Sequence, residues 1–414
     1  MRLLDEIEDT EEARQSLTFE STGFTGTQVL RCYSEVPGGR LLVPKNYKRP
    51  ELEGVDVGAL TTENFTSELK DYQHSPARKI YSQVVSTGAA LAHLYTGFGK
   101  TVVALWLIAA LKPEKTLIFV HKRTLESQWL AQIRAFLHDP TGVKVSTVQR
   151  QLNHMSELSE HADQCLMIFD EVHHMCARSF SRILWASSSQ WHLGISATSK
   201  RPDGLEAVLH AFLGRPCVSL LSLRHRPLVC CSYYKEEGAI QLPMTRVNGK
   251  AVVNYNAALS MLCESQARNA HIMGILQKLG SRNTLVLTRR RAHAECLFGL
   301  AKDIVGRDVR MLLGGMSGGD VACAVAPGSS IILVATTQAA GEGFDMPILD
   351  TLVFATPSSD VTQETGRILR KVGPNTPLVV DIIDNAGLYW SQFSKRKRFY
   401  KDQGLEMSDQ ILVD

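Results

Sequence analysis

Residues Leu91–Leu111 read LAHLYTGFGKTVVALWLIAAL. Two apolar runs flank the insert Thr96-Gly97-Phe98-Gly99-Lys100-Thr101. The first run has the length of a buried strand and the second that of a buried helix. A connection with no task needs neither two glycines nor a lysine. Glycine lets the backbone turn successive N–H groups inward, the arrangement that cradles phosphate. Lys100 adds positive charge for the β- and γ-phosphates, and Thr101 offers a hydroxyl to Mg²⁺. The following helix points the positive end of its dipole at the same place. Taken alone, a glycine turn with a solvated lysine remains the competing reading.

Leu166–His174, LMIFDEVHH, decides between them. Four apolar residues end in Asp170-Glu171, which puts both carboxylates at the C-terminal tip of a buried strand. Open α/β sheets bind their ligands there. Asp170 suits Mg²⁺, and Glu171 suits orienting or deprotonating an attacking water. Adjacent histidines on a regular element do not face one ion together, so a metal site on His173 and His174 is disfavoured.

The rest of the chain extends this pattern. From about residue 75 to 220, apolar runs (AALAHLY, TLIFV, VKVSTV, CLMIF, HLGISAT) alternate with helical periodicity. From residue 282 the alternation resumes with NTLVLT, SIILVAT, TLVFAT and PLVVDII. Near-continuous apolar strands separated by helices imply parallel sheets covered on both faces. The expected class is therefore α/β, with two tandem parallel-sheet domains. The spans expected are 1–68 for a small β-containing appendage, 69–222 for the first domain, 223–280 for a connector and the start of the second, and 281–414 for the rest of the second. A turn is expected at Asn248-Gly249. GLYWSQFSKRKRFYKDQG closes the chain as a basic amphipathic helix.

Composition narrows the classes. Eight Lys/Arg and fourteen Asp/Glu fall within residues 1–72, net −6, which leaves +9 on the remainder of a chain whose total is +3. An acidic front precedes a basic body. The nine cysteines contain no Cys-x-x-Cys, which argues against a zinc ribbon or a disulfide framework. A reducing compartment, cytoplasm or nucleus, is expected. The acidic start MRLLDEIEDTEEARQ is no secretory signal, and no apolar stretch reaches the ~18 residues of a membrane span.

TGFGKT, DEVH, GISAT, EGFD and QETGRILR stand in the order and spacing of the superfamily 2 helicase motifs, of the DEAD/DEAH-like kind. The resemblance covers about residues 70–414. ISATSKRPDGLE and LDTLVFATPSSDVTQETGRILR look most like the helicases of poxvirus-like and iridovirus-like large DNA viruses and of related phage recombination systems. The resemblance implies two RecA-like domains behind a small appendage, and a nucleic-acid-dependent ATPase that uses ATP and Mg²⁺. Gly97, Gly99, Lys100 and Thr101, with Thr96 and Phe98 in the same loop, look like the phosphate and Mg²⁺ site. Gln73 in LKDYQ resembles the adenine-reading glutamine. Asp170 and Glu171 look like the hydrolysis pair. His173 resembles the link toward Gln363 in the second domain. Ser196 and Thr198 resemble the coupling motif. Gly343 and Asp345 resemble a motif near the ribose. Gln363, Arg367 and Arg370 resemble the arginine-finger motif. Arg123, Thr147 and Thr336 occupy positions of nucleic-acid contacts. Leu94, Ser199 and Gly341 depart from the usual pattern, and none of them removes a catalytic group.

The implied function is an ATP-dependent DNA helicase or translocase acting on single strands or duplex. An RNA helicase, or an ATP-gated remodeller of a transcription or replication complex that does not unwind, is the alternative. The implied partners are DNA, or RNA in the alternative, together with transcription or replication proteins and no membrane. The viral resemblance adds association with a virion to the expected locations. The run Lys395–Arg398 suits phosphate contact or nuclear import, with a solvated helix face as the competing reading.

Overall fold

The computed structural model describes residues 4–23, 26–47, 58, 60–159, 165–177, 179–187, 189–198, 203–222, 226–235, 242–247, 250–304, 306–316, 330–341, 344, 346–359, 361–369 and 375–410. Of residues 21–23, 26–28, 157, 159, 247, 250, 363, 367 and 369 it describes the backbone alone. The chain divides into two compact units, Met1–Leu221 and Ser222–Asp414. Gly343, Asp345, Arg370, Ser199 and the turn expected at Asn248-Gly249 lie outside the described residues.

Unit 1 opens with β1 (Leu4–Glu8), α1 (Glu11–Ser16), the hairpin β2 (Thr18–Gly23) and β3 (Gly26–Arg31), β4 (Ser34–Val36) and β5 (Arg40–Pro44). Strands β1, β5 and β4 form an antiparallel sheet. This front segment shares the core of the unit, because Leu17, Cys32, Leu41 and Val43 pack into one apolar cluster with Leu209 and Phe212. Asn46 fastens it by donating its side-chain amide to the Phe212 carbonyl at 2.7 Å and its backbone N–H to that of Ala211 at 3.0 Å.

The body of unit 1 runs α2 (Asp71–Thr87), β6 (Ala89–Leu94), α3 (Lys100–Leu111), β7 (Lys115–Val120), α4 (Arg123–Phe136) and β8 (Val143–Thr147). Three short helices follow around the next strands: α5 (Val148–Leu152), α6 (Ser156–Ser159), then β9 (Cys165–Asp170), α7 (Ser181–Ala186), β10 (Trp191–Ser196), α8 (Glu206–Leu213) and β11 (Pro216–Leu220). The sheet order is β11-β6-β10-β9-β7-β8, all parallel. Successive side chains point to opposite faces of a strand. Ala90, Ala92, Leu94, Leu166 and Ile168 accordingly enter one apolar layer, and Ala89, Leu91, Met167 and Phe169 the other. Gly194 in β10 is required by packing. A Cβ there would meet Leu213 of α8 at 2.6 Å and Val172 at 3.1 Å.

Unit 2 contains β12 (Leu228–Tyr234), the hairpin β13 (Met244–Val247) and β14 (Lys250–Val253), α9 (Tyr255–Glu264), α10 (Gln266–Lys278), β15 (Thr284–Thr288), α11 (Arg291–Ala301) and β16 (Asp308–Leu312). It continues with β17 (Ile331–Thr336), β18 (Thr351–Phe354), α12 (Thr362–Thr365), a 3₁₀ turn at Gly366–Leu369, β19 (Leu378–Asp384), α13 (Gly387–Asp402) and β20 (Met407–Ser408). The sheet order is β16-β17-β15-β18-β19-β12-β20, again parallel. The α/β class with two parallel sheets is as expected. Strand β12, from the span read as connector and start of the second domain, pairs with β19 over seven residues from Leu228↔Leu378 to Tyr234↔Asp384 and lies inside the sheet. No helix among the described residues is long and apolar enough to cross a membrane.

Two buried arginines lock unit 2 internally. Arg268 of α10 is 1% exposed and reaches the end of β19, giving Nε to Asp384 Oδ1 at 2.6 Å and an Nη2 to Oδ2 at 3.0 Å. Its other terminal nitrogen donates to the Ala355 carbonyl beyond β18 at 2.7 Å. Arg396 of α13 similarly holds Asp381 at 2.8 Å and the Ser358 carbonyl. Removing one partner of a buried pair leaves a charge with no counter-ion, at a cost of about 3–5 kcal/mol. Arg268→Leu is expected to destabilise unit 2 by that order in denaturant unfolding. Arg268→Leu with Asp384→Leu should recover much of the loss; a double variant as unstable as the single would assign the effect to packing.

Candidate active site

The strand order sets the site. Strand β10 lies between β6 and β9, so the loop after β6 and the carboxylates after β9 sit two strands apart, about 10 Å. The end of β10 falls between them. Lys100, Ser196 and Glu171 thus come from three neighbouring strand ends on one edge of the sheet.

The loop turns at Gly97 and Gly99, each with φ of 92°. Gly99 precedes α3, and a Cβ there would meet Gln73 Nε2 at 2.4 Å. Helix α3 has no side-chain cap and no acid in its first turn. Its first N–H groups are those that a helix leaves without internal acceptors. An uncapped, acid-free helix start behind two left-handed glycines fits an anion of the phosphate kind. Phe98 contributes through its backbone, because its ring is buried edge-on against Tyr72 at 5.4 Å and Tyr95 at 5.3 Å. Thr96 and Thr101 are half-buried at either end of the loop.

Gln73, expected to read adenine, is buried and engaged at both ends of its amide. It accepts the Lys70 N–H at 3.0 Å and donates to the Phe98 carbonyl at 2.8 Å. Its contacts brace the loop from α2.

The two carboxylates have separate partners. Asp170 Oδ1 accepts the Glu171 N–H at 3.0 Å, and Oδ2 accepts the indole N–H of Trp129 at 2.8 Å. Burial, then the charge of Glu171, push the Asp170 carboxyl up to about 6, against the opposing pull of Lys100. Glu171 Oε1 pairs with Lys100 Nζ at 3.1 Å. Its Oε2 faces Ser196 Oγ at 3.4 Å, His173 Nδ1 at 3.5 Å and the Ala197 N–H at 3.5 Å. Ser196 Oγ and His173 Nδ1 are 2.8 Å apart, and the Thr198 N–H donates to that hydroxyl at 2.9 Å. The backbone of Glu171 is left-handed, φ 45°, a conformation that costs a non-glycine residue about 1–3 kcal/mol. That conformation ends β9 and lets consecutive carboxylates take different partners.

The donor set suits Mg²⁺. Asp170 and Thr101 supply the hard oxygens that this ion prefers. Lys100 is paired to Glu171, so the negative charge of Asp170 is the less compensated of the two.

His173, Ser196 and Thr198 form one connected group with Glu171. Arg123 is the exposed first residue of α4. Thr147 is buried and its hydroxyl caps α5, accepting the Arg150 N–H at 3.3 Å. Thr336 ends β17 in unit 2 and accepts the Ala339 N–H at 3.2 Å. Gln363 lies in α12 and Arg367 in the 3₁₀ turn that follows. The residue that sequence reading missed is Trp129. Its signal was present: Leu125, Trp129 and Ile133 make the buried stripe of α4, and a buried indole N–H needs an acceptor.

Comparisons with known proteins point to helicases. Residues 66–201 match the family model described as "Type III restriction enzyme, res subunit". The chain is 26% identical over 400 residues to "Putative ATP-dependent RNA helicase L396" of Acanthamoeba polyphaga mimivirus, covering 88% of this chain and 75% of that protein. It is 28% identical over 377 residues to "Putative helicase 161L" of Invertebrate iridescent virus 6, covering 82% of each. The solved structure of a variant of S. cerevisiae Dbp5 "bound to RNA and ADP BeF3" shares the fold, with a TM-score of 0.55 at 13% identity over 80% of this chain and 88% of that one. Residues 66–201 are a helicase domain of the Type III restriction enzyme res-subunit family, and the chain is a superfamily 2 helicase, an ATP-using hydrolase homologous over most of its length to viral helicases.

Proposed function

We propose that the chain hydrolyses ATP to move along or unwind DNA, with Lys100, Asp170 and Glu171 as the reacting constellation. The observation that carries this reading is the row Lys100–Glu171–Ser196–His173 beside the uncapped start of α3. Phosphate at the loop competes with Glu171 for the Lys100 ammonium. Glu171, held on its other side by Ser196 and the Ala197 N–H, then orients a water or takes its proton. Asp170 and Thr101 would hold Mg²⁺, which neutralises phosphate charge and orients the transferring group. Ser196 and His173 pass a change at Glu171 to the end of β10. Arg367 and Arg370 are proposed, on motif resemblance, as the arginines that stabilise transition-state charge, with Gln363 beside them in the motif. Gly343 and Asp345 are proposed near the ribose on the same ground.

Resemblance to the large-virus and phage helicases supports DNA. RNA is the second reading, favoured by the name of the mimivirus relative. Hydrolysis measured without nucleic acid and with single-stranded DNA, duplex DNA and RNA, alongside strand displacement, separates translocation, unwinding and remodelling. Stimulation by RNA alone would replace the DNA reading.

Lys100→Ala and Glu171→Gln are each expected to abolish hydrolysis. Lys100→Ala should also weaken nucleotide binding, whereas Glu171→Gln should retain it. Wild-type turnover by purified Glu171→Gln would remove Glu171 as the water-activating group.

Trp129→Phe keeps aromatic bulk and deletes one hydrogen bond to a carboxylate, worth about 1.5–3 kcal/mol. The Mg²⁺ concentration for half-maximal hydrolysis should rise roughly tenfold or more, which is what 1.4 kcal/mol or more implies. An unchanged Mg²⁺ requirement would separate the indole from the metal-binding carboxylate.

DNA affinity should fall steeply with salt, since each neutralised phosphate contributes a slope of about −0.7 on single strands. Arg123→Ala should weaken binding equally for unrelated sequences. An effect confined to one sequence would show that Arg123 reads bases.

A further inference from the structure

The basic run near the C-terminus does not act as one patch. In α13, Tyr389, Phe393, Arg396 and Tyr400 are buried at helical spacing. Arg396 is taken out of the surface by Asp381, to which Tyr400 also donates at 3.1 Å. One position further on, Trp390, Ser394, Lys397 and Lys401 repeat the same spacing on the solvent side, with Lys395 and Arg398 beside them. Trp390 is 46% exposed. Tyr233, at the end of β12, is 50% exposed. Both rings rest on the buried ring of Phe393, with centroids at 5.7 Å for Trp390 and 6.4 Å for Tyr233. The Lys397 ammonium lies 5.9 Å from the same centroid. Two open aromatic faces and a cation therefore gather over one anchored ring, and a row of cations runs on along the helix. The acids nearby include Asp402, which ends the helix, Asp409, whose charge reaches Tyr233, and the buried Asp381, which is paired with Arg396.

We infer that Tyr233, Trp390, Lys397 and Lys401 form a binding surface of unit 2 for single-stranded DNA. The inference rests on the DNA reading above and names a surface that reading does not use. The chemistry is that of sequence-tolerant strand binding, in which unpaired bases stack on aromatic rings while cations follow the backbone. A duplex keeps its base faces covered, so the rings select single strands. A protein partner fits less well, because protein interface cores are depleted in lysine, whereas here Lys397 shares the anchoring ring with Trp390.

The test uses the full chain and oligo(dT), with oligo(U) in parallel. Trp390 is the most open tryptophan, since Trp106 and Trp129 are 8% and 2% exposed and Trp185 and Trp191 are half-buried. Oligo(dT) should quench the intrinsic fluorescence, and Trp390→Phe should remove most of the quenching while keeping affinity within about threefold, because phenylalanine still stacks. Trp390→Ala should weaken oligo(dT) binding by about 5- to 150-fold, which is what one base stack is worth. Lys397→Ala and Lys401→Ala should each reduce the salt slope by somewhat less than one unit. Hydrolysis without DNA should be unchanged in all of them.

Wild-type affinity and salt slope in Trp390→Ala and Lys397→Ala, with wild-type binding still sensitive to Arg123→Ala, would overturn the surface and leave the DNA reading standing. No binding of oligo(dT) by the wild type would overturn both. Loss of oligo(U) affinity alone would overturn the assignment to DNA. Self-association in sedimentation that Trp390→Ala abolishes, with DNA affinity intact, would give the surface to a second copy of the chain and overturn the inference.

Discussion

Two adjacent carboxylates buried at the end of one strand are the constraint around which unit 1 is arranged. Burial favours the neutral acid, and each charge raises the cost of the other. The fold answers with different partners for each. Asp170 receives an indole and a backbone N–H, and Glu171 receives a lysine from one side and a hydroxyl and a backbone N–H from the other. The left-handed backbone at Glu171 makes that division possible. An arrangement with Lys100 central to both carboxylates would compensate charge more evenly and would leave less negative potential for a divalent ion.

The strand order turns separate motifs into neighbours. Lys100 and Glu171 are 71 positions apart in sequence and meet across the end of β10, which follows β6 and β9 in the chain and lies between them in the sheet. Sequence reading singled out the loop and the carboxylates as polar stretches at the ends of apolar runs, and the serine by motif resemblance alone. The order of strands was not legible, because parallel apolar runs are interchangeable by composition. Trp129 was hidden for a related reason. Its apolar spacing marks it as core, and its acceptor is 41 positions away at the end of β9.

Unit 2 shows the same division. Its apolar strands were legible, but Leu228–Tyr234 lies far in sequence from the other strands of its sheet, and its place among them was not. The hydrogen bonds to β19 that make it a member of the sheet are non-local. In the last helix, four neighbouring basic residues look equivalent as text. Helical geometry separates them, sending Arg396 inward to Asp381 and leaving Lys395, Lys397 and Arg398 in water. Gln73 was found by motif position, but its engagement with both Lys70 and Phe98 was not visible without the turn that Gly99 permits.

The fastening of the front segment to α8 has a consequence for biosynthesis. Asn46 finds its partner 166 residues later in the chain. A ribosome adding about 5–20 residues per second takes on the order of ten to thirty seconds to cover that interval. Throughout it, Leu17, Leu41 and Val43 lack the Leu209 and Phe212 side chains against which they finally pack. The nascent chain therefore carries an unfinished apolar surface ahead of the sheet it belongs to, and unit 1 closes only when one of its latest elements returns to its earliest.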